Sequence, residues 1–139
     1  MLPTDKTIEY KLRSTDVIHS FWVVAFNFKR DVMPYPRKNN QDNTFQNTID
    51  ETGAFVGRCA ELCGTYHSMM NFEVRALPPQ QFQRYMELRT EINPATGRPN
   101  TAAQALRQMQ DAGCGELCNP VAVTTSPFIT DRTASSAFG

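Results

Sequence analysis

The segment Cys59-Ala-Glu-Leu-Cys-Gly-Thr-Tyr-His-Ser-Met-Met70 sets two thiols, an imidazole and a thioether within twelve residues. For Cys59, Cys63, His67 and Met70 to act together, the segment must loop so that their side chains converge. Soft sulfur combined with imidazole is a ligand set suited to copper. Two thiolates can also bridge two coppers, each then capped by one histidine and one weak ligand, so that a shared electron moves little charge at either metal. On spacing alone a single copper, a zinc site and a disulfide remain open.

The flanking pattern is that of strands. Thr7 to Arg13 alternates Ile8, Tyr10 and Leu12 against Thr7, Glu9, Lys11 and Arg13, which predicts a half-buried strand. Val17 to Phe26 is β-branched and aromatic on both faces and predicts a central strand. Thr44–Ile49 and Ala54–Arg58 are short strands around an acidic turn, and 70–77 alternates again, with Met70, Phe72, Val74 and Ala76 opposite Asn71, Glu73 and Arg75. Val32 to Asn43, with two prolines and a polar run, reads as a solvated loop. The body is thus an all-β sandwich or barrel, thin at five strands and with an open edge.

After Pro78-Pro79 the period changes. Phe82, Tyr85 and Met86, then Ala102, Leu106 and Met109, have helical spacing, the second group behind an Asn100 or Thr101 cap and before Gly113. Residues 93–100 read as a Pro/Gly linker, and from Asn119 onward a Thr/Ser-rich tail has no period. With no evident core of its own, 78–139 is expected to pack on partner subunits.

Lys plus Arg equals Asp plus Glu, at 14 each, which gives no ground for nucleic-acid binding. The longest apolar run, Val17 to Phe28, is broken by His19, Ser20 and Asn27 and falls short of the about 20 residues a spanning helix needs. His19 is the only histidine besides His67, which makes it the natural distal ligand. One histidine from an early strand, with Cys, His and Met from a late loop, is how cupredoxin copper sites are built.

Cys-x-Glu-x-Cys-Gly-x-x-His-x-x-Met, preceded by Asp16-Val-Ile-His19-Ser and a Lys29-x-Asp31 element, resembles the CuA domain of cytochrome c oxidase subunit II over about residues 2–77. The resemblance implies a cupredoxin-like Greek-key domain over 1–77 lacking its first strands, followed by one or two short helices and an extended tail over 78–139. It implies two copper ions held by His19, Cys59, Glu61 through its backbone carbonyl, Cys63, His67 and Met70. In the family the carboxylate at the position of Glu61 also helps to hold a magnesium ion at the subunit I interface, a hard-oxygen role. Asp16, Trp22 and Asp31 become the candidates for partner docking.

The implied function is electron entry into a proton-translocating terminal oxidase. Electrons pass from reduced cytochrome c, soluble or held in a supercomplex, to the haem/copper centre of subunit I, where oxygen is reduced. The implied location is the extracytoplasmic face of a bacterial plasma membrane, reached through N-terminal helices upstream of Leu2. The Thr-Thr-Ser-Pro-Phe of the tail is similar to actinobacterial members. Two further readings are the CuA domain of nitrous oxide reductase, which the long helical tail disfavours, and a copper chaperone or thiol oxidoreductase, which would require βαβ order. Cys114-Gly-Glu-Leu-Cys118 echoes the first cysteine pair but has no His or Met behind it, so a local disulfide or two packed thiols is expected.

Overall fold

A computed structural model describes residues 1–124. Its organising feature is a hairpin of β6 (Gly53–Cys59) and β7 (Asn71–Leu77), whose connection is the cysteine–histidine–methionine segment. β3 (His19–Val23) joins the other side of β6 with Phe21 opposite Cys59, and β4 (Phe28–Val32) pairs with β3. β1 (Leu2–Pro3) adds to β7 in parallel, which gives the order β1-β7-β6-β3-β4. β2 (Thr7–Lys11) and β5 (Thr44–Thr48) form a second, antiparallel pair. β3 lies inside the sheet, as its apolar character predicts, and the all-β reading of the body holds.

The core lies between the two sheets. Val23, Ile49, Val74 and Ala76 are buried, with Ile8, Phe21, Phe26, Phe55 and Phe72 packed around them. Tyr10 stacks on Phe45 at 4.4 Å between ring centroids, and Phe21 meets Phe72 at 4.9 Å. Gly57 is a position of close approach: a Cβ there would lie 2.1 Å from the Phe72 ring. Gly57→Ala is expected to cost about 1–3 kcal/mol through overpacking. Denaturant unfolding checks this, and an unchanged midpoint would contradict it.

Two strands escape the sequence reading. The Val17–Phe26 run is not one strand: Val24–Phe26 forms a single helical turn that ends at Asn27 in the left-handed region (φ 51°). The chain then returns as β4, whose Phe28, Arg30 and Val32 alternate with exposed Lys29 and Asp31. With β1, the body has seven strands.

The extension is a small unit with a core. α1 (Pro79–Thr90) and α2 (Ala102–Met109) bury Leu88, Ala105, Leu106 and Met109 against Leu77 and Cys118. Thr101 caps α2, its hydroxyl accepting from the Gln104 amide at 3.2 Å while the Gln104 side chain accepts from the Thr101 amide at 2.8 Å. Asn100 is instead buried and donates to the Leu88 carbonyl at 3.0 Å. The 93–100 linker is a two-stranded hairpin, β8 (Ile92–Asn93) with β9 (Arg98–Pro99). Cys114 and Cys118 form a disulfide. Most of the tail expected to be extended lies outside the described residues. Among those described, no helix is long and apolar enough to cross a membrane.

The extension is clamped to the outer face of β7. Arg75, 5% exposed, donates to the carbonyls of Leu117 at 2.9 Å, Asn119 at 2.5 Å and Val121 at 2.6 Å, and pairs with Glu73. Glu73 in turn accepts from the amides of Val123 at 2.9 Å and Thr124 at 2.6 Å, and from the Thr124 hydroxyl at 2.5 Å.

Candidate metal centre

Backbone pairing brings the ligands together. The Cys59 amide donates to the Met70 carbonyl at 3.0 Å, closing the loop at its neck, and the Ala60 amide donates to the Ser20 carbonyl at 3.0 Å. His19 lies two residues along β3 from Phe21 and shares its face, so the Phe21–Cys59 register points His19 at the first thiol. At the far side of the loop, Gly64 adopts φ +128°, which side-chain-bearing residues rarely reach. The His67 amide then bonds the Gly64 carbonyl at 3.0 Å, and a single turn over His67–Met69 delivers Met70.

The donors form a continuous chain of contacts. Cys59 Sγ lies 3.8 Å from His19 Nδ1, 3.3 Å from the Glu61 carbonyl and 3.7 Å from Cys63 Sγ. Cys63 Sγ lies 3.4 Å from His67 Nδ1 and 3.3 Å from Met70 Sδ. Both cysteines are free thiols, and ligand atoms of His19, Cys59 and Cys63 lie within 4.8 Å of one another. The donor set suits a thiophilic ion, and the spacing leaves each imidazole beside a different sulfur.

Asp16 plays a part that sequence reading missed. Its carboxylate lies 2.8 Å from His19 Nε2, so it fixes the ring with Nδ1 aimed at the cysteines. The same contact, ahead of the Val17 amide and the Ser14 hydroxyl, holds the Asp16 carboxyl down at about 2. Asp16, followed by Cys59, raises the pKa of His19. The three-residue spacing of Asp16 and His19 was the available signal. Trp22 and Asp31 fall on the opposite sheet face from His19, by strand alternation and the pairing of Ser20 with Asp31. They do not join the ligand cluster. The Glu61 side chain is exposed.

The two thiols differ electrostatically. Burial opposes ionisation of Cys59, but the backbone amides of Ser20 and Glu61, with His19 and Cys63, outweigh it and bring its pKa to about 6. Burial and the neighbouring Cys59 both raise that of Cys63. In the metal-free protein, alkylation of Cys59 should therefore rise with pH through about 6 and level off near neutrality, while Cys63 responds only at alkaline pH. Peptide mapping after timed alkylation reads this, and equal labelling of both thiols at pH 6 would contradict it.

The family model for the cytochrome c oxidase subunit II periplasmic domain matches residues 1–77, the span that contains all six donors. The chain belongs to the cytochrome c oxidase subunit II family. A probable cytochrome c oxidase subunit 2 of Nocardia farcinica is 56% identical over 138 residues, covering 99% of this chain and 33% of that protein. This subunit II chain therefore spans about a third of the length of that relative. Among solved structures, the periplasmic domain of subunit II of cytochrome oxidase from Bradyrhizobium japonicum superposes with a TM-score of 0.54 at 32% identity, over 62% of this chain and 59% of that one. A mixed disulfide between a thioredoxin-like protein and subunit II of cytochrome c oxidase matches with a TM-score of 0.50 at 31% identity, over 62% and 57%. The fold is thus the cupredoxin-like one of subunit II, and family membership implies copper binding and points to the extracytoplasmic side of an oxidase.

Proposed function

We propose that this chain is the electron-entry module of a terminal oxidase, built around two copper ions. Cys59 and Cys63 would hold the copper through their thiolates, with His19, His67, Met70 and the Glu61 carbonyl completing the set. The observation that carries this reading is the unbroken line of contacts from His19 through both sulfurs to His67 and Met70. When bound, the copper pair supplies a one-electron couple with its charge spread over two metals.

The protein's part is to hold donors still and to keep the path short. Asp16 orients His19, the β6–β7 neck fixes Cys59 against Met70, and Gly64 shapes the turn between Cys63 and His67. The rim of the loop is apolar and outward-facing: Leu62 is 80% exposed and Tyr66 73%. Such a fringe is suited to contact with other oxidase subunits, with subunit I as the acceptor that carries the haem/copper centre. A reduced c-type cytochrome is the donor. The exposed Glu61 carboxylate is a hard-oxygen ligand offered to a magnesium ion shared with subunit I. We assign Asp31 and Trp22, on the outer sheet face, to subunit contacts and Asp16 to positioning of His19. The extracytoplasmic face of a bacterial plasma membrane is the setting.

Loading requires both thiols reduced, and their 3.7 Å separation makes disulfide formation the competing fate. The mixed disulfide of the related subunit II with a thioredoxin-like protein supports a reductase partner here too. The test is metal titration of the reduced subunit: two copper equivalents should bind, and prior oxidation or alkylation should prevent it. One equivalent, or binding insensitive to alkylation, would overturn the reading.

A further inference from the structure

The Cys114–Cys118 disulfide takes no part in the metal centre, and its two sulfurs stand in different surroundings. Cys118 is fully buried in the core formed with Leu77, Leu88, Leu106 and Met109. Cys114 is half-buried and lines a cavity of about 350 Å³ between α1 and the end of α2, together with Gln81, Arg84 and Gln108. A nucleophile entering this cavity meets one sulfur of the pair and not the other. The Gln81 carboxamide lies 3.6 Å from Cys114 Sγ. Its N–H end, brought round by rotation of the amide, can donate to a thiolate formed at that atom.

The two cysteines are only four positions apart in sequence. A ring this small constrains the unfolded chain least, so the effect of the bridge is local. It joins the end of α2 to the segment that Arg75 clamps. Two of the carbonyls held by Arg75 belong to Leu117 and Asn119, on either side of Cys118, and the third to Val121. Gly113 and Gly115, which flank Cys114, adopt φ +91° and +76°, and a Cβ on either would meet nothing within 4 Å. The backbone on both sides of Cys114 is therefore able to turn once the bridge opens.

We propose that Cys114–Cys118 is a redox latch, opened at Cys114 by a dithiol protein of the thioredoxin-like class, and that opening releases residues 115–124 from the outer face of β7. The attacking thiolate bonds to Cys114 Sγ, the bond between Cys114 and Cys118 breaks, and Cys118 departs as a thiolate that takes up a proton. The second thiol of the same protein loses its proton and displaces Cys114, which is protonated in turn. The dithiol ends as a disulfide, having passed two electrons and two protons to the pair, and an oxidised protein of the same class closes the latch by the reverse exchange. A thiolate at Cys118 is disfavoured among apolar side chains, so a monothiol that cannot complete the second displacement leaves the bridge closed. None of these steps involves a copper ligand, so the latch goes beyond electron entry and stands whatever metal the centre holds.

The test uses the intact oxidase. A thioredoxin-like protein that keeps only its attacking cysteine should be trapped as a mixed disulfide, and peptide mapping should find it on Cys114 at least tenfold more often than on Cys118. The complete dithiol protein should raise amide hydrogen exchange over 115–124 about tenfold and leave β2 and β5 unchanged, and reoxidation should restore the protection. Cys114→Ser/Cys118→Ala should show the faster exchange without reductant and no response to it; the measurements on the native protein decide the matter without this variant. Trapping on Cys118, or a bridge that the dithiol leaves intact, would overturn the proposal. So would native protection of 115–124 after reduction, or exchange that rises equally in β2 and β5, either of which would make the bridge a structural staple only.

Discussion

Replacing Cys63 with serine is expected to abolish the paired copper centre. Cys63 Sγ is the hub of the site, 3.7 Å from Cys59, 3.4 Å from His67 and 3.3 Å from Met70. A hydroxyl is a harder donor and, unlike a thiolate, is not ionised at neutral pH. Loss of an outer-shell partner typically lowers metal affinity or activity 10–100-fold, and loss of a direct ligand costs more. Bound copper should therefore fall to one equivalent or less, and electron transfer from the donor should drop by more than about 100-fold. Metal analysis and donor-oxidation kinetics read both quantities. Retention of two equivalents with near-native turnover would remove Cys63 from the centre.

The second large effect is expected far from the ligands. Arg75 holds three carbonyls of the extension and pairs with Glu73, both side chains being less than a tenth exposed (6% and 8%). Arg75→Met keeps the length and removes the charge, which leaves Glu73 buried without its cation and deprives the carbonyls of Leu117, Asn119 and Val121 of the Arg75 donors. Breaking one side of such a pair costs about 3–5 kcal/mol. The helical extension should loosen from β7, with faster hydrogen exchange in α1 and α2 and a lower thermal midpoint. The double variant Glu73→Gln/Arg75→Met should recover part of the loss, since no charge is then stranded.

The pH dependence of this clamp follows the same logic. Burial opposes ionisation of Glu73, but Thr124 and Arg75 outweigh it and hold its pKa below the ordinary glutamate value of 4.5. A group with a depressed pKa in the folded state contributes stability that is full above its unfolded value and is lost as pH falls through the folded one. The clamp should therefore weaken on acidification below about 4.5 and be insensitive to pH around neutrality.

The ligand loop was legible in the sequence because ligand identity and spacing are local properties: Cys59, Cys63, His67 and Met70 lie on one short segment. His19 was legible only as the one remaining histidine, and its placement depends on the Phe21–Cys59 register, which no local pattern specifies. β4 was missed for a chemical reason. Lys29, Arg30 and Asp31 hide the alternation of Phe28 and Val32, and the left-handed Asn27 that reverses the chain sits inside an otherwise apolar run. Alternation placed Glu73 and Arg75 on the outward face of β7, which is correct. That face is nevertheless buried, because the extension covers it, and covering by a distant segment leaves no trace in the strand itself. The extension's own core went unread because Leu77, at the end of β7, and Cys118, past α2, complete it from outside the helices.

One loop and one distant histidine are proposed to hold two metals that share an electron. The most direct measurement is the electron paramagnetic resonance spectrum of the copper-loaded subunit in its one-electron-oxidised state. A mixed-valence signal is expected, with the unpaired electron split over two equivalent copper nuclei. A spectrum from a single copper nucleus, of the mononuclear blue type, would contradict it.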